Sequence, residues 1–346
     1  MPALAIDVGW HDGAIGPVGI RADLPQASRV LQGRTPAEAV ALLSRLYAVC
    51  GHAQRAAAEL ALSAASAGPL AADRHVALED AVARECAVEH LWRLLVDWPR
   101  KLGIAGAPDR FAAWYRRIGG AEQGWAADLV AELAVWLGVP PERLDDWGTA
   151  AAHDAWAAAG ASQYAQLFGA LRAAELAMAG SAGASAMPAA YDETGAFVQY
   201  RDHAWLTALD AAGRGLEARV AARVVALTRL AAALAQPHRV DVELDLDAAS
   251  PAAGCGRAAV ATARGVLVHD VVLEGDRIER YAIRTPTECN FAEHGAYRAL
   301  VSARRARDAG GAERLADLWA LALDPCVPYT VRATPVTTAA GSAAHA

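Results

Sequence analysis

The sequence predicts a mainly α protein with a minor antiparallel β-sheet. Two observations carry this: apolar residues recur at helical spacing through the middle of the chain, and alternating strand patterns occur only near its two ends. The chain opens with Leu4, Ile6 and Val8 alternating with other residues, and His11-Asp12-Gly13 supplies a turn, so a hairpin is expected. Thr35-Pro36-Ala37-Glu38 is a capping-box start, with a hydroxyl N-cap, proline at N1 and glutamate at N3. The helix behind it should bury Val40, Leu43, Leu46 and Tyr47. A second long helix is predicted from Asp73 to Trp98, with Leu78, Val82, Leu91 and Leu95 in period and Pro99 as its stop. Helical patterns follow over 109–118, 121–137, 143–158 and 162–178, and then the small, featureless stretch from Ala179 to Ser185 reads as a linker. Gly215 to Ala235 is a strongly apolar helix. Val240, Val242, Leu244 and Leu246 alternate with Asp241, Glu243 and Asp245 as a half-exposed strand. Val266–Leu273 and Arg277–Ile283 flank the turn Glu274-Gly275-Asp276 as a hairpin. A final helix is expected over 297–322. The pattern is one domain over 1–331 and a disordered tail over 332–346.

Composition narrows the function. With 55% hydrophobic residues in 346, the chain can bury a large core and is not intrinsically disordered. A net charge of −7 argues against a nucleic-acid partner. The best apolar run, Leu129 to Val139, contains Glu132 and is too short to span a bilayer, so no membrane insertion is expected. Met1 to Trp10 has neither a basic start nor an apolar signal core. The five cysteines are widely spaced and form no CxxC pair, which predicts a cytoplasmic protein without a disulfide framework.

General catalytic motifs are few. Gly254-Cys255-Gly256-Arg257-Ala258-Ala259 superficially follows a phosphate-loop spacing, but it neither follows a strong strand nor opens a clear helix. Walker, HExxH and GxSxG patterns do not occur. Cys50 and His52 are two residues apart, which on a helix does not bring them face to face. No enzyme is predicted. What stands out is a pair of cysteine motifs at opposite ends of the chain: Ala48-Val49-Cys50-Gly51-His52-Ala53 and Leu323-Asp324-Pro325-Cys326-Val327-Pro328-Tyr329.

These motifs resemble those of the nickel-iron hydrogenase large subunit, where an early RxCGxC and a late DPCxxC supply four thiolates to nickel and to an iron carrying cyanide and carbon monoxide. Cys50 and Cys326 match the first cysteine of each motif. Ala53 and Tyr329 stand at the second positions, which in the family bridge to iron, and Ala48 replaces the early arginine. Ala263-Arg264-Gly265-Val266-Leu267-Val268-His269 is similar to the family's PRGxLxH segment, whose arginine lies beside a cyanide. Pro286-Thr287-Glu288-Cys289-Asn290 is similar to its PTTWN segment, where a hydroxyl serves the other cyanide. Gly215-Leu216-Glu217-Ala218-Arg219 loosely matches its GPLAR helix start.

With two of four thiolates gone, a hydrogenase centre cannot be assembled. The shortened chain and the segment Glu89 to Pro99 resemble the hydrogenase expression/formation proteins of the HupK/HoxV type. That resemblance implies a maturation scaffold that transiently carries iron with cyanide and carbon monoxide ligands, nickel being the secondary candidate. Its partners would be the hydrogenase large-subunit precursor and other maturation chaperones. Cys50 and Cys326 are the expected metal ligands, brought together by the fold, and Arg264 and Thr287 the expected cyanide partners. The alternative is a metal-free chaperone that protects the precursor, including from oxygen. Each site residue also has a plain structural alternative: packed thiols for the cysteines, an ion pair for Arg264, a turn for Thr287.

Overall fold

The computed structural model describes residues 3–24, 27–47, 49–66, 68, 70–179, 191–236 and 244–336. Its opening hairpin forms as expected, with β1 (Leu4–His11) antiparallel to β2 (Ala14–Ala22). The same β1 also pairs in parallel with a strand at the far end of the chain, β7 (Tyr329–Pro335), from Leu4↔Tyr329 to Trp10↔Pro335. This adds a parallel pair to the antiparallel sheet content, and it corrects the tail boundary. Residues 332–335 are strand rather than tail, because their backbone groups are taken up by β1; residues 337–346 lie outside the described residues.

A second sheet has the order β3-β4-β5-β6 and is antiparallel throughout, from β3 (Leu246–Ala249), β4 (Cys255–Thr262), β5 (Gly265–Glu274) and β6 (Arg277–Arg284). The expected 266–283 hairpin is β5–β6. Of the strand expected over 240–246, residues 240–243 lie outside the described residues, and β3 begins at Leu246. The phosphate-loop-like glycines belong to the start of β4 instead. A Cβ on Gly256 would lie 1.9 Å from the Ala61 carbonyl oxygen and 2.7 Å from the Ala65 nitrogen, so glycine is needed for the sheet to touch the neighbouring helix.

That helix is α2 (Gly51–Ala65), which follows α1 (Pro36–Leu46) and precedes α3 (Ala72–Trp92). The capping box of α1 forms as read, with Leu43 buried; Leu46, expected inside, is 48% exposed as the last residue of the helix. The sequence does not predict α2. Most of the α2 core face is alanine, which leaves little large-residue periodicity but lets β4 and β5 pack closely. Pro99 does not stop the next helix either. Here α3 widens into a π turn over Arg93–Asp97 and continues as α4 (Trp98–Leu102). Proline has no N–H for the Leu95 carbonyl, and that oxygen instead accepts from the Ala107 N–H at 2.8 Å.

The helical middle continues with α5 (Pro108–Gly119), α6 (Trp125–Leu137), α7 (Ala150–Ala159) and α8 (Gln163–Ala179). The expected 143–158 helix is split, because Thr149 caps α7 by accepting from the Ala152 N–H. The expected linker lies outside the described residues from 180 to 185. Beyond it come α9 (Ala196–Gln199), α10 (Ala204–Ala211) and α11 (Gly215–Ala235). Nearly the whole circumference of α11 is buried, as its apolar composition requires. The chain then forms α12 (Pro286–Asn290), α13 (Ala296–Ser302) and α14 (Ala309–Leu323). The single helix expected over 297–322 is thus two, divided where Asp308 caps α14. The buried apolar residues of helices and sheets form one contiguous cluster, whose largest fully buried side chains are Trp98, Trp136, Trp205 and Trp319. No helix among the described residues is long and apolar enough to cross a membrane.

Candidate functional site

Two features of this fold place the cysteines. Cys50 is the N-cap of α2, and Cys326 sits between the end of α14 and the start of β7. Asp324 ends α14 in the left-handed region (φ 53°), a conformation that aspartate tolerates, and Pro325 cannot continue the helix. Zipping β7 onto β1 then holds the DPC segment against the body of the protein. As a result Cys50 and Cys326 line one cavity of about 500 Å³, together with Tyr47, Thr287 and Glu288.

Thr287 is almost fully buried and is tied to Cys326 twice. Its hydroxyl donates to Cys326 Sγ (3.2 Å) and accepts from the Cys326 backbone N–H (3.0 Å). The hydroxyl expected to serve a ligand of the metal therefore serves the sulfur in this structure. Cys50 makes no side-chain cap on α2; Glu85 of α3 caps it instead, accepting from the His52 N–H (2.8 Å) and the Ala53 N–H (3.1 Å). Burial pushes the Cys50 thiol up to about 12, helped by Cys326 and Glu85 and opposed by Arg264 and the Gln54 amide. A thiol nucleophile needs the opposite shift.

Arg264 does not line the cysteine cavity. It lines a neighbouring space of about 590 Å³, which shares Cys326 with the first and is bordered by Glu89, Trp92, Arg93 and Tyr329. Its guanidinium pairs with Glu89 (Nη2 to Oε2, 2.5 Å) and with Asp324 (Nε to Oδ1, 3.3 Å). Asp324 is the hub of this region. Arg93 also donates to its Oδ1 (Nε, 2.9 Å), and Arg223 of α11 approaches Oδ2 at 3.1 Å. Burial alone would raise the Asp324 carboxyl, but Arg264, Arg93 and Arg223 outweigh it and hold it far below the usual carboxylate range. Arg93 is further paired with Asp97 across the π turn.

The sequence picks out Cys50, Cys326 and Thr287, which the fold gathers around one cavity, and Arg264, which lines the neighbouring space that shares Cys326. It assigns no role to Asp324, Arg93, Arg223, Glu85 or Gln54. The aspartate of DPC and the Glu89–Pro99 segment are visible signals, whereas Arg223 sits in an apolar helix that reads as plain core and Gln54 in α2, which has no large-residue period to mark it. At the lost motif positions, Ala53 is fully buried in α2, and Tyr329 is the first residue of β7, with Lys101 5.7 Å from its ring centroid. Cys86 is buried in α3 and lines a separate small cavity with His90. Among the described residues, no group of three or more histidine, cysteine, aspartate or glutamate side chains is arranged to hold a metal ion.

No protein-family model matches the chain. Among curated proteins it is 31% identical to the hydrogenase expression/formation protein HoxV of Cupriavidus necator, over 90% of this chain and 92% of that protein. It is 29% identical to the hydrogenase expression/formation protein HupK of Rhizobium leguminosarum bv. viciae, over 95% of each. Among solved structures, the Ni-Fe-Se hydrogenase of Desulfovibrio vulgaris Hildenborough superposes with a TM-score of 0.54 at 12% identity, covering 92% of this chain and 94% of that one. That of Desulfomicrobium baculatum gives 0.56 at 13%, with the same coverage. The fold is therefore that of the nickel-iron hydrogenase large subunit, mainly helical with small sheets. Taken with the extent of the HoxV match, this chain belongs to the family of hydrogenase expression/formation proteins.

Proposed function

We propose that the protein acts in hydrogenase maturation as a scaffold, holding an iron that carries its own cyanide and carbon monoxide ligands before the large-subunit precursor receives it. A part in hydrogenase formation rests on the family; the cargo and the residues that hold it are the finer proposal. The observation that carries it is one cavity lined by two free cysteines from opposite ends of the chain. Ala53 and Tyr329 fill the positions that would bridge a second metal. Two thiolates on separate elements suit a single soft-ligand iron that brings its remaining ligands with it. Fewer protein ligands also make release easier, which a carrier requires. Arg264 supplies positive charge beside Cys326, and with Thr287 it would orient the cyanides once the cargo is seated. Nickel is the secondary cargo. The expected partners are the hydrogenase precursor and its other maturation factors, and the expected compartment is the cytoplasm.

One observation favours a second reading, a metal-free chaperone that protects the precursor, including from oxygen. The Cys50 thiol is pushed up to about 12, chiefly by burial, so it keeps its proton and metal binding must displace it. The two readings part on the cysteines. Purified from cells that are making hydrogenase, the protein should show infrared bands of cyanide and carbon monoxide. Cys50→Ser and Cys326→Ser should abolish the bands and hydrogenase maturation while the protein stays folded, and Cys86→Ser should leave both in place. Full maturation in all three variants, without bands in the parent, would establish the metal-free chaperone instead.

A further inference from the structure

Behind Cys50 runs a chain of buried hydrogen bonds. Gln54 lies one turn along α2, its backbone N–H bonded to the Cys50 carbonyl at 2.9 Å and its side-chain Nε2 3.8 Å from Cys50 Sγ. Gln54 Oε1 is 2.9 Å from His269 Nε2, and His269 Nδ1 is 2.8 Å from the Tyr281 hydroxyl. Gln54 and His269 are fully buried, and Tyr281 is 6% exposed. Burial holds His269 neutral, pushing it down to about 3, so its ring carries one proton. The chemistry then sets the direction of every bond. An amide oxygen only accepts, so His269 is protonated on Nε2; its bare Nδ1 accepts from Tyr281; and the amide N–H of Gln54 is left facing the sulfur.

We propose that Gln54 is a positioning residue for the Cys50 sulfur, its amide oriented by His269 and His269 by Tyr281, so that an N–H donor faces the thiolate when the cargo iron is bound. A donor of this kind holds the ligand's rotamer and draws charge off the sulfur, as outer partners do around metal sites. It also ties Cys50 on α2 to β5 and β6, so the second sheet supports the cysteine as well as covering α2. The geometry stands on its own; the tuning of iron rests on the carrier reading.

The test compares the full-length protein with Gln54→Met and Tyr281→Phe, each purified from cells making hydrogenase. Iron is measured after gel filtration, together with the infrared bands of cyanide and carbon monoxide. Gln54→Met should retain about tenfold less iron, the low end of the ~10–100-fold cost of losing such a partner. Its residual carbon monoxide band should move to lower wavenumber, because an undonated thiolate pushes more charge through iron. Tyr281→Phe, close in shape to the parent, should move the band the same way by less. Iron content and bands in Gln54→Met equal to the parent's would overturn the proposal; were that variant insoluble, an unmoved band in Tyr281→Phe would do so. Nitrogen-15 NMR of the metal-free parent gives a readout independent of cargo. A His269 proton on Nε2 supports the relay, and a proton on Nδ1 overturns it. Absence of bands in the parent itself would count against the carrier reading, and the NMR result would still decide the relay.

Discussion

Asp324 holds three guanidiniums, two of them buried (Arg223 and Arg264) and that of Arg93 half-buried, and replacing it with asparagine tests how much the site's architecture depends on that charge. After Asp324→Asn, Arg93 retains Asp97 and Arg264 retains Glu89. Among the described residues, Arg223 retains only the Ala322 carbonyl, at 3.2 Å. One fully buried cation is therefore stranded. Breaking a buried ion pair from one side costs about 3–5 kcal/mol, and the asparagine oxygen still accepts one hydrogen bond, so a loss of about 3 kcal/mol is expected. Urea unfolding at pH 7, followed by tryptophan fluorescence, should show a lower midpoint with an unchanged slope. The diagnostic step is Asp324→Asn combined with Arg223→Met, which removes the stranded charge and should recover at least half of the loss. A single variant within about 1 kcal/mol of the parent, or a double variant no more stable than the single, would refute the assignment of Asp324 as the hub.

Two further outcomes are expected. Gly256→Ala should lower stability by at least about 1–3 kcal/mol, since its methyl would meet the α2 backbone and neither partner is a flexible side chain; Gly148→Ala, with nothing within 4 Å, is the control and should be close to neutral. His90 is pushed down to about 3 by burial first and by Arg223 next, against ~6.5 in an unfolded chain, so as pH falls below that value the unfolded state binds the proton and stability is lost. The loss is up to about 1.4 kcal/mol per pH unit. Glu85, raised by burial to about 7, bends the curve the opposite way, gaining stability as pH falls toward the ordinary glutamate range. The measurement is therefore the difference in unfolding free energy between the parent and His90→Leu from pH 6.5 to 4.5, which should change with that slope; a flat difference would sink the argument.

The amino-acid sequence by itself determined the helix-dominated class, the opening hairpin, the α1 capping box, the full extent of α11 and the β5–β6 turn. Each depends on contacts within a few residues: a hydroxyl three positions from a glutamate, a glycine in a turn, an apolar period sustained over twenty residues. It also singled out Cys50, Cys326, Arg264 and Thr287, because short motifs in a fixed order are local signals. It misread α2, Pro99 and the tail boundary, where the deciding partner lies elsewhere. The carbonyl left free by Pro99 is satisfied by Ala107, and residues 332–335 are strand because β1 runs beside them. Only the tertiary structure decided that Cys50 and Cys326 share a cavity, that Arg264 lines the adjoining space rather than that cavity, and that Asp324 gathers guanidiniums from α11, the π turn after α3 and the β4–β5 turn. A buried charge takes whichever opposite charge the packing brings within reach, at any separation along the chain, so no spacing in the sequence could have announced it.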